Sequence, residues 1–209
     1  MGLKQFYEDK VLARLITCAC ANPRIRELRE QIVPLAEGRV FELGLGGGLN
    51  QAFYDRSRVT RFAGVDPGAS LLERAREAAK EKGWQADIRQ GYGEEIPFED
   101  ASFDTVVSTY TLCSVADQAK VLGELRRILR PGGKLLYLEH GHAPDSGPAR
   151  WQRRLEPVWK RVMGNCHLTR PVGSAVGCAG FSVEPMGRQY VSGLPRWAGW
   201  TEWGVGWKS

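Results

Sequence analysis

FELGLGGGLN, residues 41–50, joins a strand pattern to a cluster of glycines. The apolar pattern of Val40–Leu43 runs directly into four glycines within the five residues 44–48. Glycine loses more conformational freedom on folding than any other residue, so it is unfavourable inside a strand or a helix. A glycine cluster after a strand therefore indicates a sharp turn, or a close approach of the backbone to a ligand.

Strand and helix patterns alternate on both sides of this turn. Apolar runs predict strands at 40–43, 61–66, 86–91, 103–109 and 134–140. Helical spacing predicts helices at 50–54, 70–82 and 118–129. Such alternation is typical of an α/β protein with an open parallel sheet that is covered on both faces. Ligands of these sheets bind beyond the carboxyl ends of the strands.

The two ends of the chain differ from this core. Residues 1–37 are predicted to form a helical cap, in which Asn22 and Pro23 start a second helix that ends near Pro34. Residues 38–142 form the expected ligand-binding core. Residues 143–209 are predicted to contain a basic helix at 148–170 and two closing strands, within 181–186 and 200–208. We expect a single domain spanning 1–209.

Composition indicates the cellular location of the protein and its classes of partner. The chain has 209 residues, a net charge of +5 and five cysteines, with no secretory signal pattern and no apolar run long enough to span a membrane. An odd number of cysteines without such a signal favours reduced thiols and a cytoplasmic location. The basic helix is either a solvated face or a peripheral contact with an anionic membrane. No nucleic-acid-binding module is evident, and the oligomeric state is left open.

The spacing of the glycine turn is Glu42-x-Gly44-x-Gly46-x-Gly48. It departs from the dinucleotide fingerprint G-x-G-x-x-G, because Leu49 occupies the third glycine position. The segments GVDP (64–67), GEEIPFEDASFD (93–104) and LRRILRPGGKLLYLEH (125–140) accompany it. Together these motifs resemble the class I S-adenosylmethionine-dependent methyltransferases over residues 38–142.

This resemblance implies a Rossmann-like, doubly wound sheet of seven mostly parallel strands with an antiparallel last strand. It also implies S-adenosylmethionine as the cofactor, with Asp66 accepting hydrogen bonds from the ribose and Glu94 lying near the adenine. Where many relatives have Asp-Ala before that acid, this chain has Tyr92-Gly93. The implied cofactor-binding residues are Glu42, Gly44, Gly46, Gly48, Asp66, Pro67, Gly93, Glu94, Thr109 and Tyr110.

The methyl acceptor is expected to be a small molecule. The stretch STYTLCSV (108–115) after the fourth strand lacks the Asn/Asp-Pro-Pro-aromatic motif of enzymes that methylate exocyclic amines of bases. TLCSV (111–115), LEHG (138–141) and WQRRLEPVWKRVMGNCHLTR (151–170) resemble the methyltransferase-like enzymes that methylate alkyl thiols. That resemblance implies S-methylation of a thiol or sulfide. The alternatives are an amine or phospholipid-headgroup N-methyltransferase and a non-catalytic S-adenosylmethionine-binding regulator; Leu49 makes a nicotinamide oxidoreductase the least favoured.

Three residues are candidates for catalysis on a thiol. His140 could accept the proton, Glu139 could orient it, and Arg170 could stabilise a thiolate. The alternative is a polar strand end with a structural ion pair. Cys113, Cys166 and the pair His140-x-His142 suggest a metal, but no fourth ligand can be named, so we expect none.

Overall fold

The structure is a computed structural model that describes residues 22–209. The helix predicted before Asn22 lies outside the described residues. Within residues 22–209, no helix is both long enough and apolar enough to cross a membrane.

Strands and helices alternate along most of the described chain. The strands are β1 (Gly38–Leu43), β2 (Val59–Asp66), β3 (Ala86–Gln90), β4 (Phe103–Thr109), β5 (Leu129–His140), β6 (Ser182–Tyr190) and β7 (Trp200–Trp207). The α-helices are α1 (Pro23–Ile32), α2 (Ala69–Glu81), α3 (Gln118–Ile128), α4 (Ser146–Val162), α5 (Val172–Cys178) and α6 (Arg196–Gly199). A short 3₁₀ helix, Val33–Leu35, follows α1.

These strands form a single seven-stranded sheet in the order β3-β2-β1-β4-β5-β7-β6. Strands β1 to β5 pair in parallel, whereas β7 pairs antiparallel with β5 on one side and β6 on the other. The expected Rossmann-like sheet with an antiparallel last strand is therefore confirmed. The carboxyl ends of β1, β2 and β4 meet at one edge, which is where the glycine turn lies.

Helices cover both faces of the sheet. Successive strand residues point to opposite faces, so a strand with consecutive apolar residues has an apolar side chain to bury on each face. In β1, Val40 packs in the cluster that contains α1 and α2, and its neighbour Phe41 packs in the cluster that contains α3 and α5. The start of α1 follows the sequence: the Asn22 side chain accepts a 2.9 Å hydrogen bond from the Arg24 N–H, and Pro23 is the first helical residue. Burial on both faces makes β1 and β4 rigid supports for the loops that follow them.

The helix predicted at 50–54 is wrong. Residues 46–53 form successive turns with i to i+3 bonds, such as that from the Gln51 N–H to the Gly48 carbonyl. Gly46 and Gly48, which precede the predicted helix, have φ of +50° and +80°, so the chain enters this segment in a left-handed conformation that an α-helix does not contain. The side chain of Asn50 is instead held by bonds to distant residues, described below.

Three other elements also differ from the prediction. Helix α4 ends at Val162 rather than continuing to residue 170, because Gly164 and Asn165 both adopt left-handed backbone conformations with φ of +59° and +64°. Helix α5 was not predicted, and β5 begins at Leu129, five residues before the expected start. The early end of α4 turns the segment from Cys166 to Arg170 back towards β4 and β5.

Candidate active site

A cleft of about 580 Å³ opens at the carboxyl ends of β1 and β2. Its walls come from the glycine turn after β1, the loop that starts α2, the loop after β3 and the loop after β4. This volume lies within the range of about 300–1,000 Å³ that is typical of small-molecule and cofactor sites. The position matches the general rule for ligand binding in open parallel sheets.

The glycine turn needs its glycines for two different reasons. Gly44 has φ of +67°, and a Cβ there would overlap the Thr111 side chain, so this glycine lets the loops after β1 and β4 approach each other. Gly46 also has a left-handed φ, but a Cβ there would meet no atom within 4 Å. Open space beside bare backbone at Gly46 is what close contact with a ligand requires.

Asp66 ends β2 and lines the cleft. Its two carboxylate oxygens accept 2.8 Å hydrogen bonds from the N–H groups of Gly46 and Gly68, one on each oxygen. Burial raises its pKa, while these two backbone bonds lower it. Since a carboxylate has about four acceptor positions, Asp66 can accept further hydrogen bonds from a ligand.

Glu42 lies at the centre of a buried polar network beneath the cleft. Its two oxygens accept hydrogen bonds from Asn50 Nδ2 at 3.0 Å and from the Tyr54 hydroxyl at 2.8 Å. Asn50 also donates to Thr109 Oγ1 at 2.9 Å and accepts from Arg29 Nε at 2.9 Å. Burial raises the pKa of Glu42 from its usual 4.5 to about 7, against the hydrogen bonds that lower it.

Sequence reasoning missed Arg29 and Asn50, both of which line the cleft. Arg29 is only 4% exposed, although it carries a charge. The signal was available, because Arg29 shares the inward face of α1 with Ile25 and Ile32, where a charged side chain is unexpected. Asn50 gave no such signal, since it was assigned to a helix that does not form.

The loops after β3 and β4 complete the walls. Glu94 Oε1 accepts hydrogen bonds from the N–H groups of Ala116 and Asp117, at 2.8 and 3.1 Å, and so ties the two loops together. Gly93 is buried where a Cβ would press against Leu43. Tyr110 has φ of +53°, which is uncommon for a residue with a bulky side chain and is a form of backbone strain that clusters at functional sites.

The predicted cofactor-binding residues therefore converge on one place. Those that line the cleft are Glu42, Gly44, Gly46, Asp66, Pro67, Gly93, Glu94, Thr109 and Tyr110. Gly48 does not line it: a Cβ there would press against Ala75 and Ala78 of α2, so this glycine serves the packing of the turn on the helix.

None of the three catalytic candidates lines the cleft. Glu139 is fully buried, and its carboxylate accepts hydrogen bonds from Ser108 Oγ at 2.7 Å and from three successive backbone N–H groups, Thr111, Leu112 and Cys113, at 3.0 to 3.3 Å. Burial raises its pKa, while these four bonds lower it. Glu139 thus fixes the turn after β4 rather than contacting the imidazole of its neighbour.

Arg170 holds the same turn from the other side. Its guanidinium donates to the carbonyl oxygens of Leu112, Val115 and Ala116, at 3.1, 2.7 and 3.4 Å. Burial lowers the pKa of Arg170. Because the turn carries Thr111 and Ser114 on the cleft wall, both Glu139 and Arg170 act on the site through its backbone.

His140 lies beside two cysteines. Cys113 and Cys166 are 53 residues apart in sequence, yet their sulfurs are 3.7 Å apart, and the Cys166 sulfur is 3.8 Å from His140 Nδ1. The contact between the thiols, together with burial, raises the pKa of Cys113. The same contact lowers the pKa of Cys166, and His140 acts in the same direction.

Comparison with known proteins agrees with this geometry. The family described as "Methyltransferase domain" matches residues 41–137, which include the glycine turn and β5 up to Tyr137. Thiol S-methyltransferase TMT1B from Rattus norvegicus is 38% identical over 165 residues, which are 75% of this chain and 67% of that protein. TMT1B from Homo sapiens is 38% identical over 172 residues, covering 78% and 70%. The chain belongs to the S-adenosylmethionine-dependent methyltransferases.

Solved structures share the fold of this methyltransferase. The YcgJ protein from Bacillus subtilis superposes with a TM-score of 0.67 at 17% identity, covering 88% of this chain and 97% of that one. A possible histamine N-methyltransferase from Thermotoga maritima gives 0.60 at 23% identity, covering 99% and 94%. At these identities the likeness concerns the fold alone.

The cleft of the methyltransferase fits S-adenosylmethionine. The open backbone at Gly46, the acceptor capacity of Asp66 and the cleft volume of about 580 Å³ match a ligand that combines an amino-acid part with a nucleoside. Glu94 has less capacity to bind this ligand, because its Oε1 already accepts hydrogen bonds from two backbone N–H groups.

Proposed function

We propose that the methyltransferase transfers a methyl group to the sulfur of a small-molecule thiol or sulfide. The observation that carries this proposal is the extent of the matches. Three named thiol S-methyltransferases match 75 to 78% of the chain, whereas a phosphatidylethanolamine N-methyltransferase from Cereibacter sphaeroides matches 53%, at 36% identity. The thiol enzymes therefore share more of the chain than a cofactor-binding core alone requires.

In this proposal the cleft binds the cofactor through its glycine turn and the strand ends. Gly44 and Gly46 shape the turn, Asp66 accepts hydrogen bonds from the ribose hydroxyls, and Glu42 with Thr109 and Tyr110 forms the floor. Bound S-adenosylmethionine supplies a methyl group on a sulfonium, which is already an excellent leaving group. The protein then mainly has to hold the acceptor in line with that methyl, which alone supplies several kcal/mol of the barrier, up to about 10.

The acceptor thiol must lose its proton before or during transfer. With an ordinary pKa of about 8.5, a free thiol already has a few per cent of thiolate near neutral pH, so a modest shift is sufficient. We propose that Glu139 and Arg170 are positioning residues, which hold the turn of residues 111–116 at the cleft wall. Proton transfer by His140 stays a prediction, since its ring lies behind that turn.

Matched acceptors test this proposal. Wild-type protein is incubated with methyl-labelled S-adenosylmethionine and either 2-mercaptoethanol or ethanolamine, which differ only in the reacting atom. We expect labelled thioether from the thiol and no labelled product from the amine. Asp66→Ala should give neither product, which excludes methyl transfer by a contaminant.

Other outcomes separate the alternatives. Labelled N-methyl product with no thioether would support the amine enzyme and overturn S-methylation. Cofactor binding by calorimetry without product from any thiol or amine would support the non-catalytic regulator.

We also propose peripheral contact of α4 with an anionic membrane surface. Trp151, Val158 and Val162 are 52, 62 and 43% exposed, and their spacing of seven and four residues places them on one side of the helix. The basic residues of α4 are also exposed: Arg150, Arg153, Arg154, Lys160 and Arg161. An exposed apolar stripe with basic neighbours is typical of helices that lie in a membrane interface.

Vesicle sedimentation tests this contact. The protein should bind vesicles that contain phosphatidylserine in a salt-sensitive way and should not bind pure phosphatidylcholine. Val162→Glu should weaken binding, whereas Met186→Glu, at an equally exposed apolar residue of β6, should not. Equal binding by both variants would contradict a role for α4.

A further inference from the structure

Three metal-ligating side chains meet behind the turn after β4. Cys113 follows β4, His140 ends β5, and Cys166 follows α4, and one ligand atom from each lies within 4.8 Å of the other two. Within residues 22–209, these are the three Cys, His, Asp or Glu side chains that lie close enough together to hold a metal ion. The sequence suggests these residues as metal candidates, but it does not show that they meet, because the parallel pairing of β4 with β5 and the early end of α4 bring them together.

The distances fit a tetrahedral ion. With zinc–sulfur bonds of about 2.3 Å and a zinc–nitrogen bond of about 2.0 Å, tetrahedral angles place two sulfurs about 3.8 Å apart and sulfur about 3.5 Å from nitrogen. The observed separations are 3.7 Å between the sulfurs and 3.8 Å between Cys166 Sγ and His140 Nδ1. Two of the three separations are therefore close to those that a bound ion would impose, and the third, between Cys113 and His140, lies within 4.8 Å.

The hydrogen bonding of His140 supports the same reading. His140 is 5% exposed, its Nδ1 faces the sulfur of Cys166, and its Nε2 is buried without a partner among the described residues. His167 offers the contrast, because its Nδ1 lies 2.9 Å from Glu156 Oε1. Nδ1 is therefore the ring atom placed to bind an ion, while Nε2, on the other side of the imidazole, would keep its proton.

We propose that Cys113, His140 and Cys166 form a zinc site. Binding of Zn²⁺ releases one proton from each thiol and uses the neutral imidazole, so two thiolates balance the charge of the ion and no net charge is buried. Three protein ligands leave one coordination position for an external ligand, as in catalytic zinc sites.

This site lies next to the cleft. Ser114 and Asn165 line the cleft, and each is the chain neighbour of one of the two cysteines. The three ligands are thus adjacent to the wall of the cleft. The proposal itself does not depend on which atom accepts the methyl group.

Cobalt provides the direct test. Purified protein, reduced and freed of metal, is titrated with Co²⁺ under anaerobic conditions. We expect one Co²⁺ per chain, with the visible bands of tetrahedral cobalt and a sulfur-to-cobalt charge-transfer band, all lost when one equivalent of Zn²⁺ is added. Cys166→Ser and His140→Asn should each weaken Co²⁺ binding at least tenfold. Cys166 is only partly buried, so its replacement disturbs the core less than replacement of Cys113 or His140.

Two matched controls complete the experiment. Cys178→Ser removes an exposed cysteine, and Cys18→Ser with Cys20→Ser removes the pair outside the described residues; both variants should bind Co²⁺ like wild type. The proposal is overturned if wild type shows no charge-transfer band, or if Cys166→Ser binds Co²⁺ as tightly as wild type. Thermal melting of each variant distinguishes lost ligands from lost folding.

Discussion

Asp66 and Glu139 are carboxylates at the ends of two strands of one sheet, yet the structure uses them differently. Asp66 accepts two backbone hydrogen bonds, is 8% exposed and lines the cleft. Glu139 accepts four hydrogen bonds, is fully buried and does not line it. Both residues are site candidates in the sequence: Asp66 as a ribose acceptor implied by the resemblance, and Glu139 as the residue that orients His140.

The difference teaches that a strand-end position alone does not define a binding residue. What separates the two is the acceptor capacity that remains once the protein's own donors are counted. Glu139 serves the backbone of the turn after β4, while Asp66 retains lone pairs at an open surface. The comparison predicts that replacing Glu139 affects stability first, and that replacing Asp66 affects cofactor binding first.

Replacement of Glu139 should give the largest effect. Glu139→Ala leaves the buried N–H groups of Thr111, Leu112 and Cys113 without an acceptor, so we expect the free energy of unfolding to fall by about 4 kcal/mol. Glu139→Gln keeps one acceptor oxygen and should lose about 2 kcal/mol. Urea denaturation measures both, with the exposed Glu95→Ala as a control that changes stability by less than about 0.5 kcal/mol. A loss below about 1 kcal/mol for Glu139→Ala would remove the distinction from Asp66.

Glu42, at the end of β1, extends the comparison to pH. Its pKa is about 7 in the folded protein against its usual 4.5, so between these values the unfolded chain has lost a proton that the folded chain keeps. The unfolded state then binds fewer protons, and this group lowers the free energy of unfolding as pH rises through that window, by about 3 kcal/mol in total.

Glu42→Gln cannot ionise and should lack this component. The stability of the variant relative to wild type, measured by denaturation from about pH 4 to about pH 8, should rise by about 3 kcal/mol and level off above pH 7. A difference that does not change with pH would show that Glu42 ionises normally, as an exposed strand-end carboxylate does.

Asp66→Asn should give the smallest change in free energy, and it should appear in binding. We expect the affinity for S-adenosylmethionine to fall about 30-fold, equivalent to about 2 kcal/mol, while the free energy of unfolding changes by about 1 kcal/mol. Calorimetric titration measures the affinity. Asp87→Asn, an exposed acid on the adjacent strand β3 that pairs with Arg89, is the matched control and should bind like wild type. If Asp66→Asn lowers the free energy of unfolding more than the binding free energy, Asp66 has a structural function like that of Glu139.

Most of the sheet could be predicted from sequence, because its signals are local. β4 was predicted at its observed bounds and β1, β2 and β3 to within two residues, since apolar runs flanked by turn residues mark buried strands. The turns that replace the expected helix at 50–54 could not be predicted, because the side chain of Asn50 is fixed by Glu42, Thr109 and Arg29 rather than by its chain neighbours.

The candidate site likewise has a part that local sequence signals predict and a part that depends on tertiary contacts. The glycine turn and Asp66 follow from spacing along two adjacent strands. The grouping of Cys113, His140 and Cys166 depends on strand pairing and on where α4 ends, neither of which a single sequence states. The functions proposed for Glu139 and Arg170 also needed the structure, because their partners are backbone atoms that carry no sequence signal.

One measurement tests the central claim, methyl transfer to sulfur at this cleft, in a single molecule. Cysteamine carries a thiol and an amine on the same two-carbon chain, so both acceptors reach the site together. The protein is incubated with cysteamine and S-adenosylmethionine labelled with ¹³C in its methyl group, and the product is identified by NMR. The account predicts the ¹³C label only in the S-methyl group. Label in an N-methyl group, with the sulfur unmodified, would contradict it.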